Sequence, residues 1–173
     1  MLYDLTVVQF SKMLNNLNNI LDKAEAFAAF KKVDIAVLLS SRLAADQFNL
    51  IGQIQIACDI AKISVARLTG QLVSVPKHDD TKTTLEELRQ RIASVIEYLD
   101  GFSEADFAHA ATIHVSQPRW AGKYLTGYEF AIEHATPNLY FHITTAYAIL
   151  RHNGVEVGKK DYLGAIPYKV PVI

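Results

Sequence analysis

The stretch TPNLYFHITTAYAILRHNG, residues 136–154, decides the fold. It is apolar or aromatic on most faces, so it is expected as one helix enclosed by others rather than lying on a surface. Its ends are marked. Thr136 is placed as the N-cap and Pro137 at the first helical position, where a missing N–H costs nothing. Gly154 stands where a left-handed residue ends a helix, and Arg151 and His152 in the last turn face the negative end of the dipole. Asn138 and His142 are four residues apart and therefore share a face. Chemistry is to be sought there first.

Three further long helices precede it. Leu5, Val8, Phe10, Leu14, Leu17, Ile20, Leu21, Ala24 and Phe27 recur at three- and four-residue steps, which predicts a helix over residues 2–29. Asn15, Asn16, Asn18 and Asn19 form its polar face, a surface also open to a partner. Ile35 to Leu39 reads as a short helical turn over a bundle end. A second long helix is expected from about Asp46 to Thr69, stopped by Gly70. Ile54, Ala57, Cys58, Ala61, Val65 and Leu68 make its apolar stripe, widened by Ile56, Ile60 and Ile63. Gln55, Asp59, Lys62 and Ala66 take the remaining arc, with Asp59 at the border and half exposed against Lys62 one turn on. Residues 71–84 read as a loop with His78 solvated.

Thr84 and Glu87 match a capping box that opens the third helix, with Leu85, Leu88, Ile92, Val95, Ile96 and Leu99 inward. Gly101 ends it, and Glu86, Arg89, Gln90 and Arg91 are expected outside. Segments 111–116 and 122–126 pair as a small hairpin across residues 117–121, with Trp120 near the turn. Such a hairpin is too small to stand alone and must rest on the helices. Tyr128, Phe130 and Ile132 precede the last helix and are expected to pack at its lower end. His109, His114 and His134 read as surface or packing residues. After Gly154, turns at Gly158 and Gly164 and the apolar Tyr162, Leu163, Ile166 and Tyr168 predict a tail folded back along the bundle.

Composition sets the remaining bounds. A chain of 173 residues suffices for one domain. The net charge of −1 gives no field to recruit nucleic acid or anionic lipid. The lone cysteine, Cys58, allows no intrachain disulfide and, among apolar neighbours, reads as a buried, inert thiol. The first residues, MLYDLTVVQF, lack a basic n-region, and no apolar run approaches the ~20 residues of a membrane span. A cytoplasmic protein is expected. No serine sits in a Gly-x-Ser-x-Gly elbow, and no complete phosphate loop is present.

The runs PNLYFHITTAYAILRHNGVEVGKKDYLG (137–164) and QIQIACDIAKISVARLTG (53–70) resemble a bacterial family of unknown function within the DinB/YfiT-like superfamily of putative metalloenzymes. The resemblance covers nearly the whole chain. It implies an all-α fold, an up-down-down-up four-helix bundle with the small β-hairpin as an insertion before the last helix, often homodimeric. Superfamily members that hold a metal carry one histidine on the second helix and two, four residues apart, on the fourth. His142 matches the second of that pair, and Asn138 stands in place of the first. Counting from the helix ends sets His142 beside residues 58–62, where Asp59 is the one good ligand, whereas the helical projection puts Asp59 off the centre of the apolar arc.

The resemblance thus implies an Asp59/Asn138/His142 set for a divalent metal such as zinc or nickel, weakly held or absent, since asparagine is a poor ligand for either. Without a metal, His142 is expected to be satisfied in the core by Asn138, Asp59 or Thr145. Three functions follow as expectations. One is a metal-dependent enzyme or enzyme relic, with thiol-dependent transfer as the reaction class the superfamily suggests. Another is a non-enzymatic pocket for a small apolar molecule lined by Trp120, Tyr128, Tyr140, Phe141 and Tyr147. The last is a dimerising structural domain.

Overall fold

A computed structural model describes residues 1–171. The expected bundle is present. Its long helices are α1 (Gln9–Lys31), α3 (Leu50–Thr69), α4 (Leu85–Asp100) and α6 (Thr136–His152). The short helix α2 (Ile35–Ser40) lies between α1 and α3, with Asp34 capping it through the Ala36 amide at 2.9 Å. Strands β1 (His114–Ser116) and β2 (Tyr124–Thr126) pair antiparallel with Val115 opposite Leu125. The helical turn α5 (Gly127–Glu129) follows, and α7 (Lys159–Leu163) closes the tail.

Paired residues fix the helix directions. Gln9 reaches Tyr140 and the Phe27 ring lies near Gly154, so α1 and α6 are parallel. Asp59 meets Arg91 and, three residues on, Lys62 reaches His78, whose ring meets Ser94, so α3 and α4 are parallel. Gln53 meets His142 while Arg67 shares a cleft with His134, so α3 and α6 are antiparallel. The order is up-down-down-up, with α3 and α6 sharing the largest helix interface.

The core runs through all four helices: Phe10, Leu14, Leu17, Ile54, Ala57, Ala61, Leu88, Val95, Leu139, Ile143 and Ile149 are fully or almost fully buried. Ala57 and Ala61 of α3 and Ala146 of α6 keep that interface thin. Helix α3 is enclosed on more sides than a single stripe predicts. Gln55, Lys62 and Ala66, assigned to its outer arc, are buried, Gln55 and Lys62 because residues 76–82 fold over them and accept their side-chain hydrogen bonds. It begins at Leu50 rather than near Asp46, where Asn49 accepts from the Gly52 amide at 3.0 Å and serves as its cap. Gly70 ends it at φ 71° as expected.

Thr84 and Glu87 form the anticipated capping box on α4. Replacing Thr84 with alanine is expected to cost about 1 kcal/mol, read as a shift in the urea midpoint with an unchanged slope. A Thr84→Ser variant should recover most of it; equal losses in both would refute a capping role.

The last helix differs from its expected start. Thr136 is not an N-cap, and Pro137 does not open a helix. Helical backbone begins at Gly127, passes through a π-helical turn over Phe130–Ala135, and continues into α6. A proline inside an α-helix loses a hydrogen bond and clashes with the carbonyl four residues back. The wider π turn ahead of it makes room for the ring against that carbonyl, while the lost hydrogen bond is not restored. The true cap is Thr126, which accepts from the Glu129 amide and receives Glu129 on its own N–H in a second capping box. Thr126-x-x-Glu129 carried the same signal as Thr84-x-x-Glu87.

The tail folds back as expected through Tyr162, which packs against the core, whereas Leu163, Ile166 and Tyr168 are exposed. Lys23 pairs with Asp161 at 2.7 Å, and Asn16 donates to the Tyr162 carbonyl at 3.0 Å. The asparagine-rich face of α1 is therefore partly internal: Asn16 lies under the tail and Asn18 accepts from Arg89. Cys58 is fully buried, and burial pushes its thiol up to about 12, which keeps it protonated and inert.

Candidate functional site

A cleft of roughly 380 Å³ opens between α3 and α6 under the hairpin. His142, Asn138 and Asp59 all line it. The sequence-predicted trio is thus brought to one cleft, but not as one set of donors.

His142 is nine-tenths buried on the inner face of α6. Its Nδ1 lies 2.7 Å from Gln53 Oε1, and Gln53 Nε2 donates in turn to the Phe48 carbonyl at 3.0 Å. The carbonyl fixes the amide's orientation, and the amide oxygen then requires the proton on Nδ1. Nε2 is left as an acceptor without a partner among the described residues. Burial alone lowers the His142 value below the ordinary imidazole range, so the ring is neutral at pH 7. None of the partners expected for it holds it; Thr145 donates instead to the Phe141 carbonyl. Gln53 was missed because the level count opened the last helix at Thr136, nine residues after its helical backbone begins at Gly127. A glutamine one turn before Ala57, on the buried stripe, was the available signal.

Asp59 is committed elsewhere. It lies six residues beyond Gln53, about 9 Å farther along the axis. Its Oδ1 accepts from Lys62 Nζ at 2.9 Å and from Arg91 at 2.8 Å. Arg91 also holds Asp80 at 2.7 Å, and Lys62 donates to the Pro76 carbonyl and to His78 Nδ1. His78 and Arg91 are therefore members of a charged cluster joining α3, α4 and the loop between them. Both were expected in solvent. The loop folds over them, which no projection of one helix can reveal.

The donor set does not suit a tightly held transition ion. It offers one imidazole nitrogen, one amide and a carboxylate whose Oδ1 is already shared by two cations, where catalytic zinc takes three strong ligands. Among the described residues no group of three or more His, Cys, Asp or Glu side chains converges to hold an ion. The aromatic pocket expected from Trp120, Tyr128, Tyr140, Phe141 and Tyr147 is dispersed. Tyr140 accepts from Gln9, Tyr147 donates to the Val157 carbonyl, Phe141 and Tyr128 are exposed, and Trp120 packs edge-on against Phe130 and His134.

The other end of the cleft is basic. Arg67, on the last turn of α3, and Arg119, on the hairpin turn, line it beside His134. Arg119 donates to His134 Nε2 at 3.0 Å, and the ring stacks on Phe130. Burial first, then Arg119 and Arg67, lower the His134 value. Among the described residues no helix is long and apolar enough to cross a membrane.

A family model described as "Domain of unknown function (DUF1993)" matches residues 2–163. Among solved structures, a crystal structure of a DinB family member protein from Shewanella denitrificans is 82% identical, with 99% of this chain and 96% of that one covered and a TM-score of 0.96. A search of curated proteins gives no match. Bundle topology and these likenesses agree: the chain belongs to the DUF1993 family, a DinB-like family of unknown function.

Proposed function

We propose that the α3–α6 cleft is a small-molecule site built around His142, a DinB-like centre that works without a tightly held metal. The observation that carries this reading is the Gln53–His142 hydrogen bond, which fixes one tautomer and leaves Nε2 as a neutral acceptor in a half-apolar cleft. Such a nitrogen can accept a hydrogen bond or a proton from a hydroxyl or thiol of a bound molecule. Ile56, Ile60 and Ile63 supply apolar wall, and Asn138, with no side-chain partner among the described residues, supplies an orienting amide.

A second reading is favoured by one specific feature. Metal-binding histidines commonly donate the ring N–H that faces away from the ion to a fixed acceptor, and Gln53 provides one. Under that reading His142, with Asn138 one turn before it, holds a weakly bound divalent ion with several waters, and Asp59 stays with Lys62 and Arg91.

Fragment binding followed by amide chemical shifts, on wild type and His142→Ala, separates these. Fragments should perturb Asn138 and Ile60 in metal-free buffer and bind at least tenfold more weakly to the variant. Binding that needs added zinc or nickel, or that ignores the substitution, would overturn the metal-free reading. The pH dependence supplies a further check. A histidine whose folded value is depressed contributes stability that is complete above the ordinary value of about 6.5 and is lost as pH falls toward the folded value. His142, His78 and His134 are all lowered. Thermal stability should therefore fall on going from pH 7 to pH 5.5, and less so in His142→Gln.

A further inference from the structure

The arginines of this chain are not used alike. Arg91 binds two carboxylates, and Arg89 binds Asp22 at 2.6 Å and Glu25 at 3.1 Å. Arg67 is half-buried, yet its guanidinium makes no hydrogen bond among the described residues. Arg119 has one, to a neutral imidazole, and neither pairs with a carboxylate there. The two cations line one end of one cleft. Asp59, the acidic residue in the same cleft, sits eight residues before Arg67, about 12 Å along the axis, and is neutralised by Lys62 and Arg91. Burial and the neighbouring Arg119 both disfavour the charge on Arg67. Arg119 is exposed, but Arg67 is half-buried, and holding that cation beside a second one without a counter-ion is a cost that a bound anion lowers.

We propose that the cleft takes a small organic oxyanion, with its carboxylate or phosphate held between Arg67 and Arg119 and its body over Ile60 and Ile63 toward His142. Guanidinium forks match the planar edge of either oxyanion. Helix geometry supplies the reach. Side chains lean toward the N-terminus of their own helix, and α3 and α6 are antiparallel. Arg67 and His142 therefore lean toward each other along the cleft. The inference rests on the His142 reading for the body of the ligand, but the oxyanion end stands on the arginine pair.

The test is titration calorimetry at low ionic strength with phenyl phosphate, phenylacetate and the uncharged phenylacetamide. The proteins are wild type, Arg67→Gln, Arg119→Gln and His142→Ala, each checked for folding by circular dichroism. Either arginine variant should lose about tenfold to a hundredfold in affinity for an oxyanion, the worth of one charge-assisted contact, with phenylacetamide unaffected. The phosphate and carboxylate arms decide between the two sources. Arg67→Lys should fall between wild type and Arg67→Gln, because it keeps the charge and loses the fork. Equal binding of phenylacetate and phenylacetamide, or oxyanion binding untouched by both arginine substitutions, would overturn the proposal. Loss of phenylacetamide binding in His142→Ala without oxyanion selectivity would sink this inference and leave the His142 site standing. Arginine-dependent oxyanion binding indifferent to His142→Ala would do the reverse.

Discussion

Gly127→Ala is expected to destabilise the protein by about 3 kcal/mol, the upper part of the range for overpacking a filled site. Helix propensity argues the opposite sign, since alanine is favoured over glycine by about 1 kcal/mol inside a helix. Geometry decides. A Cβ at Gly127 would overlap the Ala110 carbonyl oxygen and lie 2.9 Å from its carbon and 3.1 Å from Ile113 Cγ1. The obstruction is backbone and cannot rotate away. The Gly127 and Tyr128 amides donate to the Ile113 and Ala111 carbonyls at 2.8 and 3.0 Å, so the strand approach and the helix start are joined at this point. Relief of the clash must break that junction. Urea unfolding should show the loss, and hydrogen exchange should accelerate first at the Gly127 and Tyr128 amides. The hairpin carries Arg119, so oxyanion affinity should fall as well, while the Gln53–His142 contact stays. A stability change under about 0.5 kcal/mol, the scale of an ordinary surface substitution, would refute this account of the glycine.

Asp59→Ala should cost about 3 kcal/mol, the low end for breaking a buried ion pair because the carboxylate is about a third exposed. The substitution leaves Lys62 and Arg91, each about 5% exposed at the side chain, facing each other without the anion they share. Removing one cation should restore part of the loss, so Asp59→Ala with Lys62→Met is expected to be more stable than Asp59→Ala alone. That rescue distinguishes a structural carboxylate from a metal ligand. A ligand would leave stability in chelator nearly unchanged on substitution, with no benefit from Lys62→Met. Additivity of the two substitutions in a double-mutant cycle would defeat the ion-cluster explanation.

These residues also show where sequence suffices. Thr84 and Glu87, Gly70, Gly154 and the pairing of the two short strands follow from local rules, because each depends on neighbours a few positions away, whereas the register, Val115 opposite Leu125, sets the loop two residues longer than residues 117–121 imply. The return of the tail was legible from Tyr162, but Leu163, Ile166 and Tyr168 are exposed, and polar contacts from Asn16 and Lys23 hold the segment instead. The partner of His142 was not, because levels on antiparallel helices depend on where each begins. Asn49 and Thr126 moved both starts relative to Asp46 and Thr136. Burial of Arg91 and Lys62 depends on a loop between their helices. The arginine pair joins residues 52 positions apart, through a hairpin whose seat on the bundle is set by Trp120 against Phe130.

The π turn ahead of Pro137 makes chain length a determinant of the cleft's composition. One helical residue corresponds to about 100° of rotation. Removing a single residue from Phe130–Ala135 would return that turn to α-helical pitch and change the phase between everything before it and everything after it. Asn138 and His142 would keep their seats against α3, whereas Phe130 and the segment leading into the hairpin would swing to another side of the axis. Relatives that differ here by one residue would then present a different rim to the same histidine, so insertions and deletions at this turn, more than substitutions, are the route by which such a cleft would change what it admits.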